Sequence, residues 1–316
     1  MSGRYLLHRF LSVPPIVIGV TIFSFALIYL GPVDPITAIT PDDATAEQIA
    51  MLRHAYGFDR PIPIQYLTWL HRVMTGDFGV SLQTGRPVLE LLLPALINTF
   101  RLAAVATLAC FVVAFGLGVA SAVWHRTWLD RVLTAISSIA ISIPSYWLGI
   151  VLVIIFSVEL NWLPAMGMGP SEAWTWDLEH ARFLILPAIA IAVIPAGVIA
   201  RTARASVLEI LSQEYVEALH ARGLPYWRVL LHVLRNAAPT VLAVCGLQFG
   251  QMLGGSILVE TIFSWPGSGL LLFQSIFKRD LPVLQGTLVV IALMFVLINL
   301  AVDILQAWLD PRIQRT

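Results

Sequence analysis

Residues 213–239 read Gln213-Glu214-Tyr215-Val216-Glu217-Ala218-Leu219-His220-Ala221-Arg222-Gly223-Leu224-Pro225, then Tyr226-Trp227-Arg228-Val229-Leu230-Leu231-His232-Val233-Leu234-Arg235-Asn236-Ala237-Ala238-Pro239. This polar, basic stretch joins two uncharged runs, 183–200 and 236–259, each near the length that crosses a bilayer. Residues 213–222 suit a helix. Glu, Ala, Leu, Gln and Arg are favourable there, and Glu214 and Glu217 lie toward its dipole-positive N-terminal end. Gly223 is suited to the left-handed residue that ends a helix, and Pro225 to the first turn of the next. The stretch is therefore expected to be two short helices joined by a tight turn.

Outward from this loop the composition decides the class. Of 316 residues, 58% are hydrophobic and 12% charged, and mean hydropathy is +0.82. Soluble domains carry about 25% charged residues, so this chain lacks the polar surface of one and is read as a membrane protein. A formal net charge of zero gives no sign of nucleic-acid binding. Cys110 and Cys245 both lie in apolar runs, where cysteine acts as a small hydrophobe.

Uncharged segments of spanning length occur at 10–33, 102–124, 132–158, 183–200, 236–259 and 281–302. Six membrane helices are expected. The first is read as a retained signal anchor, because it ends at Gly31-Pro32 with no Ala-x-Ala cleavage site. Pro195 in the fourth marks an expected kink, and Ile143-Pro144-Ser145 is expected to break the third. Basic residues set the orientation. With the N-terminus inside, the inner side holds Arg4, Arg9, Arg126, Arg131, Arg201, Arg204, Arg222, Arg228, Arg235, Arg312 and Arg315, while Asp34, Asp42, Asp43, Glu47, Asp59, Asp77, Glu172, Asp177 and Glu179 fall outside. The even span count returns the C-terminus to the cytoplasm. The expectation is a single transmembrane domain over 1–316, with a structured extracytoplasmic loop at 34–95 and a cytoplasmic loop at 201–238.

The first outer loop carries its own helices. Thr45 with Gln48 forms a capping box, with Gly57 as the expected stop. A second helix is expected from about Pro63 to Met74, where Tyr66, Trp69, Leu70, Val73 and Met74 share a face and Gly76 ends it. Two placements suit it: on the membrane surface or outer mouth, or packed on the protein's own helices. Trp162, Trp174 and Trp176 in the second outer loop fit an interfacial belt or a contact with a partner protein. Gly246, Gly250 and Gly254 form a ladder that lets another helix come close.

No zinc spacing, nucleophile elbow or Walker glycine-lysine loop occurs, so no catalytic, cofactor or metal residue is assigned. The acids nearest membrane depth, Glu260 and Asp303, stand at span ends and suit loop-anchoring or interfacial roles. Arg101, at the outer start of span two, suits snorkelling toward headgroups.

Glu217-Ala218-Leu219, three residues, then Gly223 resembles the Glu-Ala-Ala-x-x-x-Gly loop of ABC-importer permeases. The chain departs from that pattern at Leu219, and beyond Gly223 the usual Ile-x-Leu-Pro is replaced by Val233-Leu234-Arg235-Asn236, with Pro239 following. Those departures fit the dipeptide and oligopeptide branch. So do Gly76-Asp77-Phe78-Gly79-Val80-Ser81, Gly85-Arg86-Pro87-Val88 and Leu96-Ile97-Asn98-Thr99, and the C-terminal series Glu260-Thr261-Ile262-Phe263-Ser264-Trp265-Pro266-Gly267, Arg279-Asp280-Leu281-Pro282 and Leu309-Asp310-Pro311-Arg312. The resemblance covers nearly the whole chain. It implies the type I permease fold of a bacterial inner-membrane importer, with Tyr215, Glu217, Ala218, Leu219, Arg222 and Gly223 forming the contact that couples to an ATPase. It also implies a homologous second permease subunit, two cytoplasmic ATP-binding subunits that carry ATP and magnesium, and an extracytoplasmic peptide-binding protein. Nickel and glutathione-like cargo stay open. A gradient-driven secondary transporter is the reading from another class; it would ordinarily carry inverted repeats or membrane-depth ionisable groups.

Overall fold

The computed structural model describes residues 3–30, 44–55, 58–170, 174–175 and 177–309. Apart from loops and the isolated bridge between Val80 and Pro87, these residues are helical. In chain order the helices are α1 (Gly3–Leu30), α2 (Ala46–Ala55), α3 (Ile62–Met74), α4 (Val88–Val123), α5 (Trp128–Ser142), α6 (Ser145–Leu152), α7 (Leu178–Leu211), α8 (Glu214–Ala221), α9 (Tyr226–Gly255), α10 (Ile257–Ile262), α11 (Ser268–Phe277) and α12 (Leu281–Leu309). A π-helical segment, Val153–Glu159, continues α6.

Among the described residues, five helices are long and apolar enough to cross a membrane: α1, α4, α7, α9 and α12. The sixth expected span is the pair α5 and α6 with its π extension, bent by 101°. The bend has a local cause. Proline crowds the residue before it out of the helical region, and Ile143 is extended at φ −83°, ψ 122°.

α7 is the centre of the bundle and packs against α4, α5, α6 and α9. Small residues set the distance between its neighbours and itself. A Cβ on Gly118 of α4 would fall 2.4 Å from the Ala200 carbonyl, and one on Gly197 of α7 would fall 2.5 Å from that of Ser137. α7 runs unbroken through Pro187 and Pro195, so the proline expected to kink it does not interrupt the helix. The glycine ladder of α9 faces α12: a Cβ on Gly246 would meet Val302, one on Gly250 Asn299 and one on Gly254 Phe295.

Two boundaries differ from expectation. The helix that carries span two begins at Val88, ahead of the uncharged run that starts at 102, because Asn98, Thr99 and Arg101 are helical positions of α4 rather than loop residues. The loop expected to end at 95 therefore ends at Pro87. Likewise the second helix after Gly223 is not short: Tyr226 opens a 30-residue helix that runs through to Gly255. Residues 201–211 and 226–238 thus belong to α7 and α9, leaving α8 and its turns as the connection proper.

On the outer side, Thr45 and Gln48 close the expected capping box at 2.8 and 3.3 Å. Gly57 lies outside the described residues. α3 packs on α1: the Tyr66 and Trp69 rings sit 5.5 and 5.7 Å from Phe25, and the Tyr66 and Thr21 hydroxyls are 2.9 Å apart.

Candidate functional site

α8 stands on the inner side between α7 and α9, held by one buried side chain. Val216 is 2% exposed and packs with Val207 and Ile210 of α7, Val229 and Val233 of α9 and Ala122 of α4. Burying a valine is worth about 1.5–3 kcal/mol, so this contact fixes the face that α8 turns inward. Glu217 and Ala218 are turned away from that face and are exposed.

The end of α8 is a Schellman turn. The Gly223 N–H donates to the His220 carbonyl at 2.9 Å and the Leu224 N–H to that of Leu219 at 3.3 Å. Gly223 has φ +75°, the left-handed region that favours glycine. Leu219 and Leu224, which bracket the turn, both pack on the cluster around Val216. Pro225 then caps α9 from outside the helix, one position before the first turn in which it was expected.

All six residues expected in the contact therefore lie on α8 or its cap, but not all face outward. Leu219 is half-buried. The Tyr215 hydroxyl accepts a hydrogen bond from Asn236 Nδ2 at 2.9 Å, which ties α8 to α9. Glu217, Ala218 and Arg222 are left to form an exposed surface beside Gly223.

Two polar clusters brace the bundle on either side. On the inner side Asp130 is 5% exposed and accepts from Arg204 Nε at 2.8 Å, Arg204 Nη2 at 2.9 Å, the Ser121 hydroxyl at 2.6 Å and the Arg126 N–H at 3.0 Å. This joins α4, α5 and α7 just before α8. The signal in the sequence was Thr127 with Asp130, a helix-capping spacing on an otherwise basic side; the Thr127 hydroxyl accepts from the Asp130 N–H.

On the outer side Glu260 is fully buried. Its Oε1 accepts from Thr99 and Ser256, both at 2.8 Å, and its Oε2 from the N–H groups of Gly269 at 2.7 Å and Leu270 at 3.1 Å. A carboxylate taken from water costs several kcal/mol unless so satisfied. Glu260 is a loop anchor, binding the α10–α11 turn to α4. Trp265, fully buried, adds an Nε1 hydrogen bond to the Asn98 carbonyl at 3.1 Å. Asp303 is half-buried on α12. Arg101 donates to Asn98 Oδ1 at 3.0 Å, and its guanidinium lies 5.7 Å from the centre of the Trp174 ring.

Outside the spans, Asp177 caps α7. The backbone N–H of His180, followed by the Thr175 hydroxyl and the His180 ring, holds its carboxyl well below the usual carboxylate range. No group of three or more His, Cys, Asp or Glu side chains able to hold a metal occurs among the described residues.

A polytopic helical bundle with a short helix presented between two of its spans is the arrangement of the type I importer permease fold. The solved inward-facing MetNI methionine ABC transporter matches with a TM-score of 0.59 at 20% identity, covering 70% of this chain and 97% of that one. The chain belongs to the family described as "Binding-protein-dependent transport system inner membrane component", whose model matches residues 113–315; the family's N-terminal model matches residues 2–103. It is 38% identical to the dipeptide transport system permease protein DppB of Alkalihalophilus pseudofirmus, over 98% of this chain and 99% of that protein. It is also 38% identical to the glutathione transport system permease protein GsiC of Salmonella choleraesuis and 36% to that of Escherichia coli K12, at the same coverage. The protein is a multi-pass component of the bacterial inner membrane.

Proposed function

We propose that the chain is the transmembrane subunit through which an ABC importer moves di- or oligopeptides into the cell, with α8 as the element that couples it to ATP hydrolysis on partner subunits. The observation that carries this reading is the construction of α8. One face is fixed by Val216 between α7 and α9, and its end is set by the Gly223 turn. The outer face, with Glu217, Ala218 and Arg222, is free to be gripped. A force on that face reaches two spanning helices at once. Glutathione-like cargo is the second reading for the same site, because relatives named for dipeptide and for glutathione transport stand at equal identity.

In this reading a second permease subunit completes the pathway, two ATP-binding subunits hold ATP and magnesium, and an extracytoplasmic binding protein delivers cargo. This chain itself binds no cofactor and catalyses no hydrolysis. Gentle purification of the tagged chain, with mass spectrometry of what accompanies it, tests the reading. Recovery of a second permease and Walker-containing ATPases is expected, together with ATP-dependent uptake of labelled dipeptide in proteoliposomes. A chain that is recovered alone and transports without ATP contradicts it.

A further inference from the structure

An apolar groove of about 520 Å³ runs between α4 and α7. Its α4 wall is Val105, Ala109 and Val113, one residue every four, and Ile185, Ile189 and Ala192 stand on the α7 wall. Val113, Ile185 and Ile189 are exposed, so the groove opens away from the bundle. Residues four apart lie above one another on a helix, and the next position outward in that row is Arg101.

Depth identifies what Arg101 can meet. At 1.5 Å per residue it lies roughly 33 Å from the inner end of α4 at Val123, about the ~30 Å thickness of the hydrocarbon core. It is therefore at the outer interface. The distance from Arg101 to Val113, the inner end of the groove's α4 wall, is roughly 18 Å, close to the ~15 Å of one leaflet. Among the described residues the guanidinium has neutral partners: the Asn98 amide oxygen toward the outer end, and the Trp174 ring. The described acids at the start of α7 are engaged elsewhere. Asp177 is turned to Thr175 and His180, and Glu179 lines a separate recess with Arg182 and Asn161.

We propose that this groove binds an outer-leaflet anionic phospholipid, its acyl chain lying between α4 and α7 and its phosphate paired with Arg101. A permanent cation at interfacial depth, heading a leaflet-length apolar trough, matches an amphiphile of that charge and shape. The proposal is independent of which cargo the permease carries.

The test is native mass spectrometry of the purified protein, with whatever subunits accompany it, after reconstitution in mixed phosphatidylcholine and phosphatidylglycerol vesicles. Phosphatidylglycerol is expected to be enriched on the wild-type protein over its share of the vesicle. Arg101→Gln should lower that enrichment roughly fivefold, the factor expected for one basic residue near an anionic surface. Arg101→Lys should retain most of it. Ala109→Phe, which fills the groove from an exposed position, should abolish it without touching the cation. Equal enrichment across these variants overturns the proposal. So does efficient cross-linking of Ile185→Cys to a second permease subunit, which would make the groove a protein interface.

Discussion

Arg204 closes two nitrogens, Nε at 2.8 Å and Nη2 at 2.9 Å, on the two oxygens of Asp130, 74 residues earlier in the chain. The pair locks the inner ends of α5 and α7 together, immediately before the chain leaves α7 for α8. A planar guanidinium matched to both oxygens of a buried carboxylate fixes orientation as well as distance.

Asp130→Asn should therefore destabilise the protein by about 2 kcal/mol or more, the cost of leaving a charge without its partner. Arg204→Gln should cost a similar amount. The double variant should cost clearly less than the sum, because neither charge is then stranded. Thermal unfolding of the four proteins in one detergent measures this, and additive losses would show that the two residues act separately.

Gly223→Ala should strain the left-handed turn by about 1–2 kcal/mol, although open space surrounds the position. The penalty falls on the junction of α8 and α9 rather than on the core. Expected are near-normal amounts of protein in the membrane and a lowered ratio of peptide uptake to ATP hydrolysis, with Gly223→Val more severe. Normal uptake in Gly223→Val contradicts a coupling role for the turn.

Glu260→Ala should leave four donors, on Thr99, Ser256, Gly269 and Leu270, without their acceptor, at a cost of about 3 kcal/mol or more. Glu260→Gln should be milder. Its oxygen can still take the two backbone N–H groups, and its amide can donate to the two hydroxyls once they rotate. Accumulation in the membrane should rank wild type above Gln above Ala; equal accumulation of Gln and Ala would show that the hydrogen bonds matter less than the volume.

The Asp177 cap gives a pH dependence with a definite sign. Its folded pKa is lowered, chiefly by the His180 N–H, so its contribution is fully present above the ordinary carboxylate range near 4. It is lost only as pH falls through the lowered folded value. Amides at the start of α7 should thus keep their hydrogen-exchange protection to well below pH ~4, and Asp177→Asn should remove that dependence. Protection already lost near pH 5 in the wild type would contradict the cap.

What the sequence made legible was local. The Thr45 and Gln48 box, the break at Ile143-Pro144 and the turn at Gly223 each depend on residues within a few positions, and each stands where expected. Pairings over long separations were not legible. Thr99 meets Glu260 across 161 positions and Asp130 meets Arg204 across 74, and hydropathy says nothing of which polar groups face each other. The outward extension of α4 beyond span two was not legible for the same reason. Asn98, Thr99 and Arg101 read as a polar boundary, whereas Asn98 and Thr99 are helical positions buried against the α10–α11 turn. Leu219 likewise read as part of an outward contact, and its packing against the cluster around Val216 depends on the fold of α7 and α9.

The central claim is that α8 is the surface on which the ATP-binding subunits act. The most direct measurement is cysteine cross-linking in the assembled complex from Ala218→Cys, an exposed position on α8. The two native cysteines, Cys110 and Cys245, are buried and stay silent. An adduct between Ala218→Cys and a Walker-containing subunit, changing in yield when ATP is bound and absent from Thr84→Cys on the outer loop, is the predicted result. No adduct from Ala218→Cys in a complex that still hydrolyses ATP and imports peptide would contradict the account.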